Sequence, residues 1–361
     1  MSTALLQVAL DRGAAGERLD RAAALAVAEV RSPDDLQRIG RAAFANRARR
    51  YDRDATYVFN LHVNPSNLCI GTCSFCHYAA RPGDAHAYEL TEEEILRRVA
   101  DLAPVEVHIV GGLNDRWGYA RNLALVETLR TRYPDLHLKG FTATEIDYFA
   151  RREGLTTTAV LTGLQAAGLD AMPGGGAEIF SDRIWQKYCP TKLGPDGWLA
   201  VHREAHGLGM TTNATMLSGL GETPAERVEH LLRLRELQDE TGGFACFIPL
   251  AYLPGRDATP EQAPSPLEQL ALIALARLTL DNIPHVKAYW PMIGLETAAA
   301  GLSWGADDLD GTLGDERIAQ ASGAKAPRAL VRDSMEETIR LAGFSPVERD
   351  GVFGVFGDRL A

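Results

Sequence analysis

No apolar run in the 361 residues approaches the roughly 18 to 20 needed to cross a bilayer. The N-terminal stretch meets Asp11, Arg12 and Arg18 before a signal-like core can form, so the sequence predicts an unprocessed cytoplasmic chain with no membrane partner. Positive charge is also short. Against 48 Asp and Glu stand 37 Lys and Arg, a formal net charge of -11, which argues against a general binder of phosphate backbones and hence against nucleic acid as a partner. Cysteine is scarce and odd in number: there are five, and three of them fall within eight positions, a poor layout for structural disulfides in a chain this long. Gly/Ser linkers, low-complexity tracts and short-period repeats are lacking too, so nothing divides the chain into separate domains. What is present is an ordinary globular composition, 46% apolar and 24% charged, sufficient for a sizeable core.

From residue 57 onward, short β-rich runs alternate with longer amphipathic stretches. Strands are expected over 57–63, 106–110, 137–141, 168–172, 210–217, 243–248, 285–290 and 306–309. Helix starts carry their own chemistry. Thr223-Pro224-Ala225-Glu226 supplies an N-cap hydroxyl, a proline at the first helical position and a glutamate that closes a capping box, ahead of the apolar face of Val228, Leu231, Leu232, Leu234 and Leu237. Thr91 and Glu94 repeat the device before Ile95 and Leu96. Eight such units predict an α/β fold, a (βα)8 TIM-type barrel, with N-terminal helices in 1–55, the barrel core in 56–315 and a C-terminal extension in 316–361, all in one domain. A doubly wound open sheet is the competing architecture.

The central segment is Asn64-Pro65-Ser66-Asn67-Leu68-Cys69-Ile70-Gly71-Thr72-Cys73-Ser74-Phe75-Cys76-His77-Tyr78, directly after the first predicted strand. In a barrel, that loop opens on the C-terminal face where active sites are built. Cys69, Cys73 and Cys76 can ligate three irons of a cubane and leave one iron open, since the loop holds no fourth thiol. The alternatives are a zinc site of three cysteines with His77, whose ligands more often come as two separated pairs, and a thioredoxin-like pair at Cys73 and Cys76, which leaves Cys69 unexplained. Cys189 and Cys246 lie far off, the latter in the apolar run 244–250, as small buried hydrophobes do.

The Cys-x3-Cys-x2-Cys spacing with Phe75 before the last thiol resembles the signature of the radical S-adenosylmethionine (SAM) superfamily. The resemblance implies a barrel that holds a 4Fe-4S cluster, SAM chelated to its open iron, and a one-electron donor such as flavodoxin or ferredoxin. Reduction of the sulfonium then releases methionine and a 5′-deoxyadenosyl radical. Gly111 and Gly112 resemble the turn that meets the SAM amino group, and Gly219-Leu220-Gly221-Glu222 resembles the adenine-side motif. Within the superfamily, His108-Ile109-Val110-Gly111-Gly112-Leu113, Phe141-Thr142-Ala143-Thr144-Glu145-Ile146, the segments 172–180 and 213–217, His285-Val286-Lys287-Ala288-Tyr289-Trp290 and 305–311 resemble the aminofutalosine synthases of menaquinone biosynthesis. That family adds the adenosyl radical to 3-[(1-carboxyvinyl)oxy]benzoate, with loss of carbon dioxide or bicarbonate, to give 6-amino-6-deoxyfutalosine. A cyclase acting on dehypoxanthine futalosine and a deazaflavin-precursor synthase are the neighbouring activities, and a zinc-binding barrel is the alternative outside the class. Asn114 and Leu220 depart from the family pattern, each standing where a histidine is common.

A small-molecule carboxylate inside an apolar barrel needs cationic or hydrogen-bonding partners, because an unpaired buried charge is costly. Polar residues on predicted strands are the candidates: His62, Asn64 and Lys139 for substrate binding, and His285, Lys287 and Tyr289, which alternate along one strand face, as catalytic residues. Glu178, after a triple glycine, and Asn213 and Thr215, alternating on the fifth strand, are expected to bind SAM together with Phe75 and the glycine turns. Arg183 and Lys192 flank Cys189-Pro190 and are candidates to help hold a carboxylate, though surface salt bridging is the plainer account.

Overall fold

At Phe59 the chain changes hydrogen-bonding partner, and the first predicted strand divides there in two. The computed structural model describes residues 3–255, 263–311, 314, 316–327 and 329–354. β1 (Asp54–Val58) ends before Phe59, whose carbonyl turns to accept from the Val105 amide at 2.9 Å, and β2 (Asn60–Val63) starts after it. β3 (Glu106–Ile109), β4 (His137–Gly140), β5 (Ala171–Met172), β6 (Thr211–Ser218), β7 (Phe244–Ala251) and β8 (His285–Val286) follow, each reached through helices. β2 to β8 form one seven-stranded sheet in chain order, every pair parallel, which is the topology of repeated βα units.

The expected eighth strand, 306–309, is not formed as a strand. Its place is taken by a backbone stitch at Asp308, bridged to Lys287 on one side and Thr56 on the other. Asp307 and Leu309 amides donate to Val286 and Thr56 carbonyls at 3.0 Å each, and Thr56 and Ala288 amides donate back at 2.8 Å. β8 is likewise shorter than predicted, because the helix Trp290–Ile293, with Pro291 in its first turn, begins where the strand was expected to continue.

The C-terminal extension holds an element the sequence did not suggest. β9 (Ser345–Arg349) pairs in parallel with β1, so residues some 290 positions apart form a second, two-stranded sheet. Residues 328 and 355–361 of the extension lie outside the described residues.

Both predicted capping boxes are present: Thr91 with Glu94 opens Glu92–Leu102, and Thr223 with Glu226 opens Pro224–Thr241. The helices Thr3–Ala14, Arg21–Ala28 and Pro33–Tyr51 bury Leu6, Leu10, Val27, Ile39 and Ala43 in the same apolar core as Leu61, Val107, Leu138 and Leu278. A second core joins Tyr57, Val286, Trp290, Met335, Ile339 and Phe344, and ties the C-terminal helix Arg332–Leu341 to the side of the sheet where the stitch lies. Among the described residues no helix is long and apolar enough to cross a membrane.

Candidate active site

At the C-terminal ends of the strands the loop after β2 places Cys69, Cys73 and Cys76 on the wall of one cavity of about 1770 Å³, counted with its open mouth. All three thiols are free and half-buried. The loop is fastened from several directions. Cys69 and Ala80 pair through their backbones at 3.1 Å, Arg81 donates to the carbonyls of Cys69 and Gly71, and the Ser74 amide donates to the Tyr188 carbonyl at 2.9 Å. The amides of Gly71 and Leu113 each point at the Cys69 sulfur at 3.3 Å, the kind of bond that tunes a cluster's potential. Burial pushes the Cys73 thiol up to about 11, partly opposed by the Lys192 ammonium. Gly112 lies against the loop so closely that a Cβ there would stand 2.2 Å from the Leu68 carbonyl oxygen. Glycine is therefore required for β3's turn to reach the thiols.

Below the thiols the sheet register builds polar rows. His62, His108 and Lys139 are side by side on β2, β3 and β4, with Asn60 and Glu106 one pleat beneath, and all five line the cavity. Lys139 donates to Glu106 at 2.6 Å, and Lys287 to Asp310 at 2.9 Å, with Asp308 3.7 Å away. Burial opposes ionisation of Glu106, but the attraction of Lys139 and His137 wins and holds its carboxyl well below the usual range. Lys287 is treated alike: burial disfavours its charge, while Asp310 and Asp308 raise its affinity for the proton. Asn64 bridges strands through a 2.9 Å bond to the Val110 carbonyl, and the Tyr289 phenol, its pKa raised mainly by burial, stands beside Glu316.

The sides of the cavity come from β5 and β6. Asn213 and Thr215 share the lumenal face, and Thr215 donates to the Gly174 carbonyl at 2.5 Å. The turn Gly174-Gly175-Gly176 presses on β6, leaving 2.5 Å between a Cβ at Gly174 and the Asn213 oxygen. Glu178, held at φ 47° after that turn, pairs with Lys192, which lies near enough to Cys73 to feel its charge. Phe75 also lines the cavity.

Three expected site residues are placed elsewhere. His285 bonds Asp307 at 2.5 Å and stacks on Phe353 at 4.0 Å, outside the cavity lining. β8 stops at Val286, so strand alternation does not carry from His285 through to Lys287 and Tyr289. Gly219 and Gly221 take φ 101° and 86° in a turn closed by Glu222, whose carboxylate accepts from the Gly219 and Leu220 amides at 3.1 and 2.9 Å. They shape that loop and do not reach the lumen. Asn114 is outside the lumen as well, its amide donating to Ser66 and Glu89 at 3.0 and 2.9 Å, and Leu220 is buried in the main core.

Sequence reasoning favoured a surface salt bridge for Lys192, whose side chain is 13% exposed and pairs with Glu178 near Cys73, and it passed over Glu106, Asp310 and Glu145. For Glu145 a signal existed: Thr142 and Glu145 form a capping box, and the carboxylate accepts from Thr142 N and Oγ1 at 2.7 and 2.8 Å and from Gly111 N at 3.1 Å. Burial outweighs those bonds and pushes the Glu145 carboxyl up to about 7 from 4.5. The folded chain thus keeps a proton that the unfolded chain has released. This group's contribution to stability is complete below pH 4.5 and lost as pH rises through 7. Urea unfolding at pH 5 and pH 8 should show the native chain losing on the order of 3 kcal/mol more than Glu145→Gln over that interval.

A curled parallel sheet with Cys-x3-Cys-x2-Cys at the mouth of its first βα loop defines a radical SAM barrel. The model of the radical SAM superfamily matches residues 63–234, and that of the CofH/MqnC C-terminal region matches 242–356. Aminodeoxyfutalosine synthase of Thermus thermophilus is 40% identical over 88% of this chain and 88% of its own, and that of Streptomyces coelicolor 37% identical over 93% and 90%. The chain is also 35% identical to 5-amino-6-(D-ribitylamino)uracil--L-tyrosine 4-hydroxyphenyl transferase of Methanopyrus kandleri, over 88% of this chain and 89% of that one. Methylornithine synthase shares the fold, with a TM-score of 0.75 at 18% identity, over 94% of this chain and 97% of that one. The chain belongs to the aminodeoxyfutalosine synthase family of radical SAM enzymes.

Enzymes of this superfamily use a 4Fe-4S cluster and SAM, act on small molecules and need an electron donor. The residues fit that pair. Three free thiols line one cavity, two backbone amides point at a sulfur, and no fourth cysteine lies in the loop. Among the described residues no three His, Cys, Asp or Glu side chains gather around a point that would hold a single ion, whereas a cubane spreads its three protein-bound irons over separate corners.

Proposed function

We propose that this chain is an aminodeoxyfutalosine synthase, joining the adenosyl group of SAM to 3-[(1-carboxyvinyl)oxy]benzoate to give 6-amino-6-deoxyfutalosine, methionine and carbon dioxide or bicarbonate, in menaquinone biosynthesis. The observation that carries the reading is the 40% and 37% identity to two synthases over most of their lengths, combined with a lumen whose polar floor suits a small carboxylate. Cys69, Cys73 and Cys76 hold the cluster, which supplies one electron to SAM. Gly111 and Gly112 offer close-approaching backbone to the methionine end of SAM, and Glu178, with Lys192 beside it, Asn213, Thr215 and Phe75 position the rest. Asn64, His62 and Tyr289 orient the substrate below, above Lys139 and Lys287 held to Glu106 and Asp310, and the enclosing strands keep water from the reacting carbon. The electron donor is a small redox protein of the flavodoxin or ferredoxin kind, in a cytoplasmic setting.

The test is direct. Reconstituted, reduced enzyme is incubated with SAM and the enol-ether benzoate, and the product is weighed. An adduct carrying the adenosine skeleton with one carboxylate lost supports the reading. Turnover of dehypoxanthine futalosine, or of a tyrosine and pyrimidine pair, with no such adduct rejects it in favour of a neighbouring activity.

A further inference from the structure

Among the described residues the lumen has no spare positive charge. Three lysines line it, and each already faces a carboxylate: Lys139 with Glu106, Lys287 with Asp310 and Lys192 with Glu178. The two remaining carboxyls of the described lining, Glu145 and Glu316, are both moved by burial toward the neutral form. A dianion entering this space meets a balanced set of ion pairs. Drawing a lysine to the substrate would leave Glu106 or Asp310 buried and uncompensated.

Two lumenal groups can respond. His62 and His108 are directly opposed on β2 and β3, with ring centroids 4.8 Å apart, and the Nε2 atoms of both are buried with no hydrogen-bond partner. An orphan imidazole nitrogen inside a protein is costly unless a ligand completes it. The other fully buried, unpartnered side-chain atoms of the described lining, Asn60 Oδ1 and Thr144 Oγ1, cannot gain a positive charge.

We propose that His62 and His108 form the subsite for a carboxylate of the substrate, and that the pair takes up one proton as the carboxylate enters. The proposal rests on the synthase reading for the identity of the substrate, though not for the existence of the subsite. Without ligand the surroundings favour a neutral His108 ring. Burial, the neighbouring His62 and the ammonium of Lys139 all disfavour charge on His108, and Lys287 adds to this, while Glu106 works the other way. Glu316 lies within electrostatic reach of His62, and Asp310 and Tyr289 close the same side. A carboxylate that meets the pair from the cavity side reverses the balance by favouring an imidazolium, which donates a charge-assisted hydrogen bond. Proton and ligand then bind together, so affinity falls as pH rises.

Calorimetric titration of the reconstituted, unreduced enzyme with SAM present uses the enol-ether benzoate in two buffers of different ionisation enthalpy. The expected result at pH 8 is uptake approaching one proton per ligand, with affinity falling about tenfold per pH unit above that. H62Q and H108Q should each weaken binding by about tenfold or more, and the double variant should lose the proton uptake, with iron and sulfide content as the check on folding. Buffer-independent heat in the native enzyme overturns the proposal without recourse to any variant. So does uptake that survives the double variant and disappears in E316Q. Turnover on the same preparation separates the two readings: proton-linked binding without adduct rejects the synthase activity and keeps the subsite, and adduct without proton uptake does the reverse.

Discussion

Alanine at Cys69, Cys73 or Cys76 is expected to abolish reductive cleavage of SAM, read as release of methionine, a loss on the order of a thousandfold or more. Replacing groups that only support metal ligands already costs about 10-fold to 100-fold, and here a ligand itself is removed. Iron and sulfide should fall with activity, because a two-thiol loop does not retain the cluster through anaerobic purification. Cys246→Ala provides the contrast. That thiol is fully buried on β7, its pKa raised to about 11 by burial, and it has no part in the cysteine loop. The variant should keep the iron at the native level. A colourless native protein with stoichiometric zinc would reject the cluster assignment altogether.

Lys287→Met is expected to destabilise the fold by about 3–5 kcal/mol, as breaking a buried ion pair does. The side chain is 3% exposed and lies 2.9 Å from Asp310 and 3.7 Å from Asp308, and Asp308 also pairs with Arg349 on β9. Methionine keeps the packing volume and strands Asp310, whose other partner is Asn60 at 3.0 Å. Chemical denaturation of the native, Lys287→Met and Lys287→Met/Asp310→Leu forms measures this. The double variant should recover much of the loss, since a matched apolar pair leaves no uncompensated charge. Equal stability of the native and single-variant forms would mean that Lys287 is free to serve as a substrate cation, and the balanced-lumen argument would then fail for this lysine.

The sheet position of the cysteine loop was legible in the sequence because its signals are local: three thiols within eight residues, a β-rich run before them and a glycine turn at 111–112. The same holds for the helix starts, where a hydroxyl and a glutamate three residues apart act on the nearest free amides. The eighth strand and β9 were misread or missed because both depend on what lies beside them. Residues 306–309, Ala-Asp-Asp-Leu, fall where the alternation of strand and helix calls for an eighth strand, yet they are held by one bridge on each side, and β9 exists because β1 offers it an edge.

For this protein the order of residues alone determined the metal-binding loop, the alternation of strand and helix and the end of the barrel at which chemistry gathers. These follow from backbone geometry and short spacings that any few consecutive residues carry with them. Tertiary structure decided which charges face each other. Lys139 meets Glu106 across 33 positions, Lys287 meets Asp310 across 23 and Lys192 meets Glu178 across 14, while His285 turns away from the lumen and His108 stays in it without a partner. Sheet register and the curl of the strands set those meetings, and a buried charge accepts its role from its nearest counter-charge rather than from its neighbours in the chain.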